Sequence, residues 1–467
     1  MSRQQNKLKT QCDAGCEPET AEGSSSLTQI ALPHEADAYT RRQFLRDGVS
    51  LCAGVSLASL LGVGTARAQS SYAPQRKLVW INMNGGWDIL EVTDPKVGST
   101  SGIDMSYTWG EARPMAGAAG DVRLGRWMPR MAALGADMVV VRGIAMGTTS
   151  HMAGSVYMDT GILSNAGRVN AASIPSIVAS ESGATIPIIQ LNGGSDPQID
   201  RGLLKPVSVV RAGNLDLYRS MYPTAQDQID RRVMMLDYLK SSLTRVSGET
   251  GSNDRLTALI AAEEKIRGQL TSNVGSRLQL SATDRAPFLA NAPTRLDRGM
   301  ADAFALATKL VVGDLVTCIN LGIGGFDTHA NQTMRMEPIM ANVDHLIATF
   351  VEQLRAAGKL DSTLIVLYTD FGRTPKVNNS NGRDHWPVGS ALMLGGGLQG
   401  SRVVGGTDDN LLALSADANS GAVSSSGVQI APTHLGGAVL ELTLGTAYAR
   451  YRPYLESIPA LTRLRGA

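Results

Sequence analysis

Four stretches of this chain place acids, imidazoles and arginines at spacings that suit catalysis. "NGGWD" ends in Asp88, and "RGIAMGTTSH" carries Thr148, Thr149 and Ser150 before ending in His151. "GIGGFDTH" brings Asp327 and His329, and "LYTDFGRTPKVNNSNGRDHWP" brings Asp370, Arg373, Arg383, Asp384 and His385. Mixed carboxylate and imidazole sets suit Zn²⁺, Mn²⁺ or a binuclear centre that activates water. Arginine forks match the oxygens of phosphate or sulfate. The chemistry expected is metal-assisted hydrolysis of a phosphate or sulfate ester or a phosphodiester. One or two divalent ions (Zn, Mn, Mg or Ca) would be held by Asp88, His151, Asp327, His329, Asp370 and His385. Arg373 and Arg383 would hold the charge that develops on oxygen, with locking of its own loop an equal reading for Arg373. Metal-activated water, or a hydroxyl from Thr148, Thr149 or Ser150, would attack.

Plainer uses compete with these. Asp88 and Asp327 each follow a Gly-Gly pair, where an aspartate also serves as a turn or N-cap residue. Their recurrence as "GGWD" and "GGFD" argues for ligands. Asp370 ends an apolar run and needs a compensating partner there. His151 either binds the ion or fixes its loop by a hydrogen bond. Asp384 is expected to accept from a histidine or, the preferred reading, to pair with Arg383, and Trp87 and Trp386 to wall the pocket. His345, among apolar neighbours, and His434, just after Pro432, read as scaffold residues.

The elements that must position these groups are buried strands. Leu78–Met83, Met138–Val141, Ile186–Leu191, Leu315–Leu321, Thr363–Thr369 and Ala391–Leu394 are nearly continuous apolar runs, as in a parallel sheet covered on both faces. Helical patterns lie between them, among them Met336–Ala357 with Ile339, Val343, Leu346, Phe350 and Leu354 on one face. Strands alternating with helices predict a doubly wound α/β fold with a mostly parallel sheet. Its ligands bind beyond the carboxyl ends of the strands, which is where the four stretches fall. Two charged amphipathic helices, Gln226–Leu243 and Asn253–Leu270, have no strand between them and predict a helical insertion at about 214–286.

Length and charge bound the rest. A chain of 467 residues, 43% hydrophobic, with a formal net charge of +1, builds a sizeable core and offers no basic face for nucleic acid. "TRRQFLRDG" (Thr40–Gly48), an uncharged run from Val49 to Thr65 and "ARA" at Ala66–Ala68 form a twin-arginine type export signal. Cleavage is expected after Ala68. Residues 1–68 are then a polar prefix and signal peptide, and 69–467 the exported domain. The apolar run is short for a membrane span, so the expected destination is the periplasm or the exterior, reached through the twin-arginine machinery. Such cleavage leaves Cys318 alone and no disulfide within the exported chain.

"NGGWD", "GGFDTH", "LYTDFGRTP", "GRDHW", "VDHLIATFVEQLRAAGKLDSTLIVL" and "PTHLGGAVLELTLG" together resemble the DUF1501 family of twin-arginine-exported proteins. Through that family the chain is similar to the alkaline phosphatase-like superfamily of phosphatases, sulfatases, phosphodiesterases and phosphomutases. The resemblance implies a doubly wound sheet with metals at the strand ends. It implies Asp88 as the first-strand acid, Asp327 with His329 as the middle pair, and Asp370 and His385 as the late ligands. The chain departs from that pattern at "TDFG", where Phe371 stands in place of an expected ligand, and it has no decisive nucleophile motif. Ser195 begins "SDPQI", which lacks the arginine of C/S-x-P-x-R, so a formylglycine sulfatase is not expected. The competing reading is a periplasmic binding or assembly protein on a degenerate scaffold of this kind.

Overall fold

The computed structural model of the chain describes residues 76–96, 102–164, 169, 171–182, 184, 186–194, 209–211, 222–250, 254–451 and 455–462. The expected export signal and Ser195 lie outside these residues.

Eight strands form one sheet: β1 (Lys77–Met83), β2 (Met138–Ala145), β3 (Ile186–Leu191), β4 (Val209–Arg211), β5 (Val316–Ile323), β6 (Thr363–Tyr368), β7 (Val388–Gly395) and β8 (Arg402–Gly405). Their spatial order is β8-β2-β7-β6-β1-β5-β3-β4. β7 runs antiparallel to both its neighbours, β2 and β6. The other pairings are parallel. The fold is therefore α/β, doubly wound, on a mostly parallel sheet. Six of the strands coincide with the apolar runs. β4 and β8 span three and four residues, too few to leave a pattern in the sequence.

Side chains alternate between the two faces of a strand, so the central strands feed two cores. Val79, Ile81, Ile319, Leu321, Ile365 and Leu367 belong to one, packed with α5 (Arg298–Val312) and α6 (Gln332–Ala356) through Phe304, Leu310, Leu346 and Phe350. Leu78, Trp80, Cys318, Leu364 and Val366 belong to the other. That face is covered by α1 (His151–Thr160), α2 (Ile174–Ser180) and α7 (Pro432–Leu444), through Met158, Ile174, Ile177, Leu435 and Val439. Two further helices, α3 (Gln226–Thr250) and α4 (Asp254–Thr271), pack around a small core of Tyr222, Ile229, Leu236, Ile266 and Leu270. No described helix is long and apolar enough to cross a membrane.

Register decides what meets at the sheet edge. Met83 at the end of β1 pairs with Ile323 at the end of β5, and Asn82 pairs with Tyr368 at the end of β6. The loops after these strands therefore start side by side. Because β7 is antiparallel, its first residue, Val388, lies opposite Ala145, the last of β2. The segment entering β7, which carries His385, is thereby delivered to the same edge as the loops that leave the parallel strands.

Candidate metal centre

Close backbone packing assembles the loops. The loop after β5 hydrogen-bonds to the loop after β1, Phe326 N donating to Asn84 O at 3.3 Å. Gly85 has φ of 108°, and a Cβ there would lie 2.5 Å from Asp327 N. Only glycine meets both demands. Gly154 of α1 faces Asp370 O, which a Cβ would approach to 2.1 Å, so α1 rests directly on the end of β6. The short pairing of His385 with Arg373 then ties the segment before β7 to the loop after β6.

Three imidazoles meet one carboxylate at this edge. Asp327 Oδ1 lies 3.1 Å from His329 Nε2, 3.4 Å from His385 Nε2 and 3.5 Å from His151 Nε2. The Nε2 atoms of His329 and His385 are 3.0 Å apart. The ligand atoms of His151, Asp327 and His385 all fall within 4.8 Å of one another. Tetrahedral bonds of about 2.0–2.1 Å set ligand atoms roughly 3.3 Å apart, close to the spacing seen around Oδ1.

Each ring is held from behind by an acceptor. His151 Nδ1 lies 2.5 Å from Asp370 Oδ2, His329 Nδ1 2.9 Å from Asp384 Oδ1, and His385 Nδ1 2.8 Å from Thr149 O. An Nδ1 facing an acceptor carries the proton of the neutral ring, which leaves the Nε2 lone pair turned inward. This is the arrangement that metal-binding histidines adopt. His151 Nε2 is buried and makes no hydrogen bond. Imidazole lone pairs and a carboxylate oxygen facing one another suit a cation among them, a need that Arg373 Nη2, 2.6 Å from Oδ1, meets only in part. The donor set therefore fits a metal ion. Phe371 forms an apolar backing, its ring centroid 4.5 Å from that of His151 and 4.4 Å from that of His385.

The charges follow from the same contacts. Burial pushes the Asp327 carboxyl up, but the hydrogen bond and charge of Arg373, with His151 and His385, hold it at about 2. The hydrogen bond to Asp370 raises the pKa of His151 against its desolvation. Hydrogen bonds from His329 and Asn378 lower that of Asp384.

Several expected roles do not fit where the structure places the residues. Asp88 is fully buried and lies apart from the cluster: it accepts from Leu90 N at 2.9 Å and from Gln332 Nε2, and pairs with Arg383 Nε at 2.9 Å. It is the cap-and-turn aspartate, locked by an arginine. Arg383 is 1% exposed, and it donates to the carbonyls of Thr374, Pro375 and Asp104 rather than facing solvent. Arg373 is equally enclosed, with no side-chain exposure and one Nη2 hydrogen bond to Asp327 Oδ1 at 2.6 Å. Neither arginine is placed to clamp a substrate oxygen. Asp370, 2% exposed, orients His151 rather than joining the inner ring of donors. Asp384 pairs with His329 rather than Arg383, because Arg383 turns inward to Asp88. Trp87 belongs to the core, donating to Ser390 Oγ at 3.0 Å, while Trp386 is half-buried and donates to Leu411 O. His345 contacts Arg130 and Phe288 O, and His434 Nδ1 accepts from Ala431 N. Of the three hydroxyl residues, Thr148 accepts from Ser150 N at 3.2 Å, whereas exposed Ser150, the N-cap of α1, makes no capping bond. Sequence reasoning missed Gln332 and Gly154; the short residue in "HMAGS" was the one signal for the latter.

Behind Asp88 lies a buried acid with its own pH signature. Glu91 accepts from Ser106 Oγ and from Trp127 Nε1 at 3.2 Å, and burial, with Asp88 nearby, raises its pKa to about 7. A carboxyl whose folded pKa exceeds its unfolded one is stabilising while protonated. That contribution is complete below the ordinary value of 4.5 and is lost as pH rises to about 7. The full loss is about 3 kcal/mol at most. Glu91→Gln should therefore show a flatter melting temperature than the parent between pH 5 and pH 7, read by circular dichroism on both proteins.

Comparison with known proteins adds the family. No curated protein matches the sequence. PsFucS1 sulfatase from Pseudoalteromonas sp. is 9% identical, with 90% of this chain and 76% of that one covered and a TM-score of 0.37. A protein in the alkaline phosphatase superfamily from Vibrio parahaemolyticus is 10% identical over 78% of this chain and 72% of its own, with a TM-score of 0.30. The soluble domain of lipooligosaccharide phosphoethanolamine transferase A from Neisseria meningitidis is 10% identical over 86% and 96%, with a TM-score of 0.34. With scores this low, the chemistry of this chain has to be read from its own side chains. Residues 75–422 match the model of a family described as protein of unknown function, DUF1501, and the chain belongs to that family.

Proposed function

We propose that the chain is an exported hydrolase that uses a divalent metal to cleave a phosphate or sulfate ester or a phosphodiester. The carrying observation is the set of three imidazoles, each fixed through Nδ1, whose Nε2 atoms surround Asp327 Oδ1. His151, His329, His385 and Asp327 would hold the ion. Three nitrogens and one oxygen favour zinc or manganese over magnesium or calcium, which prefer all-oxygen shells. The chemistry supplied by such an ion is Lewis-acid polarisation of an ester oxygen and acidification of water.

The chain supplies the rest. Asp370, Asp384 and the Thr149 carbonyl keep the three rings in the tautomer that presents Nε2. The first turn of α1 leaves backbone N–H groups for an anionic oxygen, since a helix N-terminus favours negative charge. Those groups take the role expected of the two arginines. Water at the ion, or Ser150 Oγ, which is exposed and makes no capping bond beside His151, would supply the attacking oxygen. Thr149 Oγ1 is its alternate.

The test uses the purified chain after export. Elemental analysis should find zinc or manganese in stoichiometric amount. Metal-dependent release of p-nitrophenol should follow from at least one of p-nitrophenyl phosphate, bis(p-nitrophenyl) phosphate and p-nitrophenyl sulfate. Stoichiometric metal without turnover favours the binding or assembly reading, for which the enclosed arginines already speak. No metal, and no thermal shift on adding either ion, ends the hydrolase proposal. Export through "TRRQFLRDG" is part of the same reading; the exported chain should begin at Gln69 by N-terminal sequencing.

A further inference from the structure

Arg373 is a fully enclosed guanidinium set against two members of the donor cluster. All five of its N–H groups are directed at protein acceptors. Nε donates to Gly86 O at 2.8 Å, and Nη2 to Gly85 O and to Asp327 Oδ1. Nη1 donates to Arg383 O at 3.0 Å and points to His329 Nε2 at 3.5 Å. A group so held does not swing out to a substrate. What it brings is a fixed positive charge beside the one carboxylate that faces the three rings.

The other carboxylates delivered by strand ends are already engaged. Asp370 serves His151 and accepts from Thr369 Oγ1, and Asp88 serves Arg383, Gln332 and Leu90 N. One donor set therefore remains, three imidazole nitrogens and Asp327. A second divalent ion sharing Asp327 would need further oxygen donors and would have to approach Oδ1 against the guanidinium already bonded to it at 2.6 Å.

We infer that Arg373 takes the place of a second cation: it limits the site to one metal ion per chain and, by sharing Asp327 with that ion, lowers the affinity with which the ion is held. The inference rests on the metal reading given under Proposed function. Like charges a few ångströms apart oppose each other, so removing this one strengthens binding of a divalent cation. A merely structural arginine predicts the opposite, because loosening the loops that carry Asp327 and His329 weakens binding.

The experiment titrates Zn²⁺ into chelator-stripped protein by calorimetry, with native mass spectrometry for stoichiometry and circular dichroism for the fold. The wild type should take up one Zn²⁺ per chain. Arg373→Gln should bind it at least about tenfold tighter, and Arg373→Lys, which keeps the charge, within about threefold of wild type. Two ions in the wild type overturn the inference and leave the metal reading standing. Weaker or unchanged binding by folded Arg373→Gln overturns the affinity claim in the same way. Should Arg373→Gln fail to fold, a wild-type stoichiometry of one together with near-parental affinity in Arg373→Lys sustains the inference, and either departure removes it. Absence of Zn²⁺ uptake by the wild type overturns both readings at once.

Discussion

His385→Ala is expected to lose the bound metal and to lower ester turnover by a factor on the order of 10³ while the chain stays folded. Lewis-acid stabilisation is worth several kcal/mol, and each 1.36 kcal/mol is tenfold in rate, which sets that scale. The ring does little for stability. Besides its polar contacts inside the cluster with His329 and Asp327, it hydrogen-bonds Thr149 O and packs against Phe371 and the two neighbouring rings. Losses of that kind cost about 1–2 kcal/mol. Elemental analysis, initial rates and thermal melts on the same preparation separate the two effects. Full metal content and undiminished turnover in the variant would place the chemistry elsewhere.

Asp370→Asn should behave differently. Asp370 reaches the cluster only through His151 Nδ1, so its charge sets the orientation and basicity of a ligand rather than binding the ion itself. Replacing such a partner lowers metal affinity by about 10–100-fold. Turnover should fall with occupancy and recover when Zn²⁺ is raised to saturate the weaker site. A direct ligand would not show that recovery, because its loss alters the coordination of the ion however much is supplied. Rates measured across a metal titration therefore decide between the two positions. The side chain is 2% exposed, and asparagine preserves its volume, so the melting temperature should move little.

These two expectations differ in origin. His385 was legible as a site residue because an imidazole beside an acid, after a buried strand, has few scaffold uses. Its route to the site was not. It arrives at the carboxyl edge only because β7 is antiparallel, and apolar runs such as Ala391–Leu394 carry no direction. Asp370 was legible as a buried acid in need of a partner, yet that partner is His151, more than two hundred positions away in the chain. Phe371, read as the loss of a ligand, is the surface against which two of the rings pack.

Residue type and pattern by themselves determined the alternation of buried strands and amphipathic helices, since a period of two or a continuous apolar run follows from which side chains water excludes. They also determined that Asp327, His329 and His151 fall just beyond strands, where α/β sheets collect ligands. Which carboxylate meets the imidazoles and which is enclosed away from them was decided only in three dimensions. Asp88 and Asp327 follow the same Gly-Gly pair, but Arg383 closes on the first while three imidazoles turn toward the second. The physical reason is that a buried charge takes the partner the packed loops bring within about 3 Å, and that distance is set by strand register and glycine contacts across the whole sheet edge.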